Sequence, residues 1–372
     1  MAGANSAADP GRVAVVGGGA VGTTLAGDLA REGVDVTLFE RESIASGSSG
    51  RAAGICYDAY ADRRDVRIAG RAIERFRELA DSFRDCPYVL LGRDDDQAAA
   101  IESLAERMAD RGVDVDLLDT EALAAEFPAL VTDDVRVAAV ARNAGVLDAT
   151  SYTEAMADRA RRSGVTVRAE TAVRLAGPRT VVAAERPVEF DAVVVAAGPA
   201  TKPLVADVGV ALALECYRAQ ALVTEPVESD PPTVFDATEH FYLRPWGEGV
   251  LVGDGVSTDV DPEDWDPTAD PGFCDRSLER VETALGVEPT AERAWAGLCT
   301  ATPDRDPLVG AVAEGLYVAT GWHGHGLMRA PAVAEALAEQ VLGGDPITGF
   351  EPTRFDGDEQ FDPVEGMSVD ER

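Results

Sequence analysis

Two rhythms run along this chain. Apolar runs that end in small or glycine-rich residues predict buried parallel strands at 13–16 and 190–199, and Val34 to Phe39 reads as a second strand of the opening unit. Apolar residues three and four apart predict helices: Leu25 and Leu29 fall within 23–32, and Ile101, Leu104 and Met108 within 95–111. Helices are also expected over 65–83, from an Asp119 or Thr120 cap to Pro128, over 151–162, and over 327–342 with Pro331 in the first turn. Strands are expected at 88–92, 164–168, 180–184 and 315–321. Residues 206–300 read as mainly β, with strands at 220–224, 241–245 and 249–253. The Asp- and Pro-rich stretch 257–271 reads as a solvated acidic insertion, since its spacing is not that of an EF-hand.

This order predicts an α/β plus α+β protein. A Rossmann-like domain is made of residues 12–86, 142–205 and 301–345. A smaller, mainly antiparallel β-sheet domain, 87–141 and 206–300, is inserted into it. Residues 1–11 and 355–372 are polar or acidic and read as disordered tails.

The first strand carries the most chemistry. Val13-Ala14-Val15-Val16 runs into Gly17-Gly18-Gly19-Ala20-Val21-Gly22, which fits G-x-G-x-x-G, and the second strand closes on Glu40. Strand, glycine turn, helix, strand and terminal acid together form the βαβ dinucleotide fingerprint. The first glycine allows the tight turn, the second lets backbone approach a pyrophosphate, and the third lets helix pack on strand. The N–H groups and dipole of the new helix face the phosphates. A carboxylate at Glu40 suits both ribose hydroxyls and disfavours a 2′-phosphate. The following stretch, 41–55, is small, polar and glycine-rich, suited to wrapping a ligand through its backbone. A second glycine-punctuated turn, Gly321-Trp322-His323-Gly324-His325-Gly326, again joins a strand to a helix N-terminus, where negative charge on a bound ring is stabilised.

Charge and composition narrow the partners. The formal net charge is −34, and Lys202 is the only lysine among 33 basic residues. Such an excess of acid argues against nucleic-acid or anionic-membrane partners and suits a halophilic, salt-rich cytoplasm. No apolar run is long enough to span a bilayer, and 1–11 lacks the apolar core of a secretory signal, so a soluble cytoplasmic protein is expected. The five cysteines lack C-x-x-C spacing and the three histidines are His240, His323 and His325, so no metal site is expected.

Taken together, the opening 13–40, Ser48-Ser49-Gly50-Arg51-Ala52-Ala53-Gly54, Val193-Val194-Val195-Ala196-Ala197-Gly198, the stretch from Trp295 to Pro307, and the stretch from Ala319 to Pro331 occur in an order that resembles the FAD-dependent D-amino-acid oxidase superfamily, near its glycine oxidase and sarcosine oxidase branch. The resemblance covers about 12–342. It implies non-covalent FAD, with Gly17, Gly19, Ala20, Val21 and Gly22 on the pyrophosphate, and Glu40 with Arg41 at the ribose. It places Ser48, Ser49, Ala53 and Gly54 along phosphates and flavin, the Val173 backbone at adenine, and Ala197 and Gly198 against the cofactor. Gly321, Gly324, His325, Gly326 and Leu327 would follow the pyrimidine edge of the flavin. The implied reaction moves hydride from the carbon beside an amine to flavin N5, giving an imine that hydrolyses. The acceptor, oxygen or a redox partner, stays open. Relatives grip a substrate carboxylate with an arginine where Cys299 stands here or a lysine where Met328 stands. They link flavin to a cysteine where Gly297 stands. Arg244, Arg329 and Arg51 are the replacement candidates, Tyr242 matches a substrate-facing position, and His323 and His325 lie in the flavin turn. His323, His325, Tyr242 and Arg244 are therefore the candidate catalytic residues. Two other readings stay open: a flavoprotein subunit of a multi-chain dehydrogenase without its own amino-acid site, and a pyridine-nucleotide dehydrogenase.

Overall fold

The structure, a computed structural model, describes residues 10–254, 258–363 and 366. The chain forms two compact units. The first holds the described residues of Met1–Gly50, Thr150–Cys216 and Cys299–Val364, and the second those of Arg51–Ala149, Tyr217–Leu298 and Glu365–Arg372. Residues 51–86, which the sequence pattern groups with the Rossmann-like part, belong to the second unit.

The first unit is built on a six-stranded sheet in the order Leu308–Ala313, Leu316–Thr320, Ala192–Val195, Arg12–Val16, Asp35–Phe39, Thr166–Arg168. All neighbours are parallel except the first pair. Arg12–Val16 lies inside the sheet, with Val13 opposite both Ala192 and Val36. Val13, Ala14 and Val15 are fully buried, which is why that run is continuously apolar instead of alternating. Helix Ala20–Arg31 packs against Gly326–Val341. It begins at Ala20, ahead of the expected 23, because Gly19 is its N-cap. A small antiparallel sheet, Val173–Gly177, Thr180–Ala183 and Arg186–Glu189, adds Leu175 and Val181 to the same core.

The tails divide. Residues 1–9 lie outside the described residues, as do 364–365 and 367–372. Within 355–363 the structure describes two sets of contacts. Phe355 packs on the first unit's core, and Glu359 accepts from the Asp356 and Gly357 N–H groups at 2.8 Å.

The second unit carries a large sheet in which Phe241–Trp246 lies between Gly249–Asp254 and Thr233–Asp236. Phe241–Trp246 pairs antiparallel with both neighbours, whereas Thr233–Asp236 pairs parallel with Tyr88–Gly92. One face is buried, with Val89, Leu91, Phe241, Leu243 and Val252 packed with Leu123, Phe273 and Val281 of helices Thr120–Glu126 and Pro271–Leu285. The Asp119 carboxylate caps the former by accepting the Ala122 N–H. The alternate positions Tyr242 and Trp246 join Ala53 and Trp295 around Ala221, Val223 and Leu251 in a separate cluster. A three-stranded sheet, Ile55–Tyr57, Ala144–Val146 and Arg84–Asp85, has no counterpart in the sequence pattern, its strands being too short to show a period. Helix Arg63–Leu79 starts at an Asp62 cap and stops short of the expected 83. The acidic stretch is anchored: Asp270 accepts from Arg218 and Gln220, and Arg218 is 8% exposed.

Candidate active site

In the first unit the glycine turns gather at the carboxyl edge of adjacent parallel strands, where open α/β sheets bind ligands. Gly17 has φ +117°, and a Cβ there would sit 2.3 Å from the Ala196 carbonyl oxygen. A Cβ on Gly22 would sit 2.0 Å from the Gly17 carbonyl oxygen. Only glycine lets the strand turn into the helix so tightly. The helix N-cap, Gly19, offers no side chain to its own first turn. Instead the Ser49 hydroxyl accepts the Ala20 N–H at 2.9 Å, bringing the segment after the second strand onto this turn. The Glu40 carboxylate accepts Gly18 N–H at 2.7 Å and Glu42 N–H at 2.9 Å. Each oxygen keeps a further lone pair for a hydroxyl. Arg41 is exposed beside it. The Thr171 N–H donates to the Glu40 carbonyl, so the strand from Val173 leaves from the same corner. Ala197 and Gly198, the latter at φ +55°, follow Ala196, whose N–H donates to the Val16 carbonyl.

The second glycine turn is organised by two threonines that the sequence did not single out. The Thr300 hydroxyl accepts the Gly321 and Trp322 N–H groups at 3.1 Å each, and its carbonyl accepts the His323 N–H. Thr302 N–H donates to His323 Nε2 at 2.8 Å, with the Thr302 hydroxyl 3.1 Å from the same nitrogen. The His323 ring is therefore an acceptor at Nε2 and carries its proton on Nδ1. It is 2% exposed, and its backbone takes φ +48°. The usable signal was the pair of hydroxyl residues two apart, Thr300 and Thr302, where strand Ala291–Ala301 ends. His325 is buried and caps helix Gly326–Val341, which has no side-chain cap of its own. Gly324 is exposed with φ +81°, and Leu327 is buried.

The other candidates lie in the second unit. The ring of Tyr242 crosses Gly253, its register partner, where a Cβ would come within 2.3 Å of the ring. Arg244 is 3% exposed and spends its guanidinium on main-chain carbonyls of Ala53, Pro245 and Leu147. Gly54, at φ +71°, would push a Cβ to 2.1 Å from the Leu147 carbonyl oxygen. Arg51 packs its side chain against Gly297. Ser48 is exposed, in the first unit, ahead of Ser49. Of the other carboxylate-anchor candidates, Arg329 is buried near the Phe350 ring. No group of three or more metal-ligating side chains occurs among the described residues.

This fold and cradle define a dinucleotide-binding protein with an attached sheet unit. The chain belongs to the FAD dependent oxidoreductase family, which matches residues 12–340. FAD is its cofactor, and the glycine turn described above, where a Cβ at Gly17 or Gly22 would meet main-chain oxygen, fits the close approach of that group's diphosphate. Among characterised proteins the chain is 30% identical to the tRNA 5-methylaminomethyl-2-thiouridine biosynthesis bifunctional protein of Maricaulis maris, over 93% of this chain and 55% of that protein. It is 26% identical to glycine oxidase of Bacillus licheniformis, over 88% of this chain and 92% of that one. The solved L-proline dehydrogenase from P. horikoshii is similar at TM-score 0.85 and 27% identity, covering 94% of this chain and 98% of that one. The chain spans about half the length of several curated relatives, from 45% to 55%. No helix among the described residues is long and apolar enough to cross a membrane.

Proposed function

We propose that this chain oxidises the carbon–nitrogen bond of a small amino acid or secondary amine. FAD, when bound, accepts hydride at N5 from the carbon beside the nitrogen, and the imine takes up water to give a carbonyl compound and the free amine. The protein supplies binding and electrostatics. Gly17–Gly22 hold the diphosphate, Glu40 and Arg41 the ribose, Val173 the adenine, and Ser48, Ser49, Ala53, Gly54, Ala197 and Gly198 line the remainder. Residues 321–327 meet the pyrimidine edge, where the dipole of Gly326–Val341 favours negative charge. With Gly297 in place of a linking cysteine, the flavin is held without a covalent bond.

One observation carries this reading: two helices, starting at Ala20 and Gly326, bring their N-termini and the glycine turns before them to one edge of the same mostly parallel sheet, the first with its Ala20 N–H held by Ser49. One suits a diphosphate and the other an electron-rich ring. The substrate class follows relatives named for amines and amino acids, among them 4-methylaminobutanoate oxidase of Paenarthrobacter nicotinovorans at 27% identity. The test is anaerobic mixing of the yellow holoenzyme with a panel of amino acids and N-methylated amines. Bleaching by at least one of them is expected, and peroxide on readmission of air would assign oxygen as acceptor. A flavin that stays oxidised throughout rejects this reading. The second reading, a flavoprotein subunit serving another chain, draws on the uncharged Cys299 and Met328, and a stable partner in pull-downs would then favour it. We further read the acidic composition as an adaptation to a salt-rich cytoplasm.

A further inference from the structure

Arg244 stands out among the charged groups. Its side chain is buried on strand Phe241–Trp246, and each of its nitrogens donates to a carbonyl of the main chain. Nε donates to Ala53, Nη1 to Pro245 at 3.0 Å and Nη2 to Leu147 at 3.2 Å. The guanidinium carbon lies 4.5 Å from the centre of the Trp246 ring. Burial pulls its pKa down to about 10, while Cys56, Asp148 and Tyr242 act to hold it up. The three segments it touches are already interlocked. Leu147 N–H donates to the Gly54 carbonyl at 2.9 Å, and Ile55 continues the contact by pairing with Val146. A Cβ on Gly54 would meet both the Leu147 carbonyl, at 2.1 Å, and Arg244 Nη2, at 3.0 Å. A planar, five-donor fork is the side chain able to hold several carbonyls in one plane, and an ammonium lacks that geometry.

We infer that Arg244 is a positioning residue: its fork fixes the Ala53–Gly54 backbone, and through it the placement of the flavin, instead of gripping a substrate carboxylate. This rests on the proposed course of the flavin along Ala53 and Gly54. Arg244 is 3% exposed and each of its three nitrogens already donates to a main-chain carbonyl, so its fork is committed to the backbone and at most two of its five N–H groups remain for anything else. The task is geometric, so charge alone does not replace it.

The test compares Arg244→Lys and Arg244→Gln holoenzymes with the parent protein, by visible flavin spectrum, FAD affinity and the KM and kcat of the best bleaching substrate. Both variants are expected to shift the flavin bands, and to lower kcat by about 100-fold, the scale of a 1 Å misplacement. KM is expected to stay within about threefold, since no ground-state contact is lost. Trp246→Leu keeps the arginine but removes its flanking ring. It gives a smaller change in the same direction, and it serves if the Arg244 variants do not fold. Rescue by lysine with a large rise in KM only for carboxylated substrates would overturn the inference in favour of an anchor. Loss of thermal stability with parental flavin bands, affinity and kcat would overturn it in favour of a purely structural clamp. If no substrate bleaches the parent, the proposed function fails, while the band and affinity comparison still decides the role of Arg244.

Discussion

At the residue scale the decisive positions are those where an added atom has nowhere to go. Gly22→Ala would place a Cβ 2.0 Å from the Gly17 carbonyl oxygen, so the turn and the first helix must part. The expected outcome is a folded protein purified without visible flavin absorbance, checked by spectrum and by titration with FAD. His323 makes the opposite case. Its Nε2 accepts the buried Thr302 N–H, so His323→Leu leaves that donor unpaired and costs about 1–3 kcal/mol of stability in denaturant unfolding. Its reading as a catalytic candidate came from standing in a glycine turn. Sequence could not show that the ring's acceptor nitrogen is taken by a residue 21 positions away. Arg244 is the same problem at longer range, with partners 191 and 97 positions distant.

At the scale of elements, local signals were legible and long-range closures were not. Strand, glycine turn and helix at the start of the chain follow from neighbouring residues alone, so they could be read directly. The turn from Thr302 to Pro307 instead depends on Arg354. The Asp304 carboxylate accepts from Arg354 Nε and Nη2, from the Asp306 N–H and from the Thr302 hydroxyl. Burial works against its ionisation, but these donors outweigh it and hold its pKa below the usual carboxylate range. A folded-state pKa below the unfolded one stabilises the fold above the ordinary carboxylate range. That contribution is lost as pH falls through the depressed value. Asp304→Asn is therefore expected to flatten the acid limb of thermal stability below about pH 4. The effect stays small, because the carboxylate is 39% exposed and solvent screens the pair. An unchanged acid limb would mean that the turn is held by its main-chain contacts alone.

For the whole molecule the governing quantity is charge. A formal charge of −34 on 372 residues makes self-repulsion large at low ionic strength. In molar salt the screening length falls to about 3 Å, and most of that repulsion vanishes. The midpoint of thermal unfolding is thus expected to rise steadily from dilute buffer to molar potassium chloride. A midpoint that is flat or falls with salt would remove the basis for the salt-rich reading. The division of the chain was only partly visible at this scale. Residues 51–86 carry no composition shift, yet they join the second unit through the short strand Ile55–Tyr57 pairing with Ala144–Val146.

By itself the sequence determined the cradle. Gly17, Gly19, Gly22 and Glu40 lie within a single βαβ unit, and a motif whose parts are neighbours in the chain needs no other segment to define its shape. From it, and from the second glycine turn in order after it, the cofactor class follows. Tertiary structure alone decided what the polar side chains do. A guanidinium or an imidazole has the same donors and acceptors wherever it stands, and only packing chooses between ligand and main chain as its partner. For Arg244 and for the Nε2 of His323, packing chose groups of the chain itself.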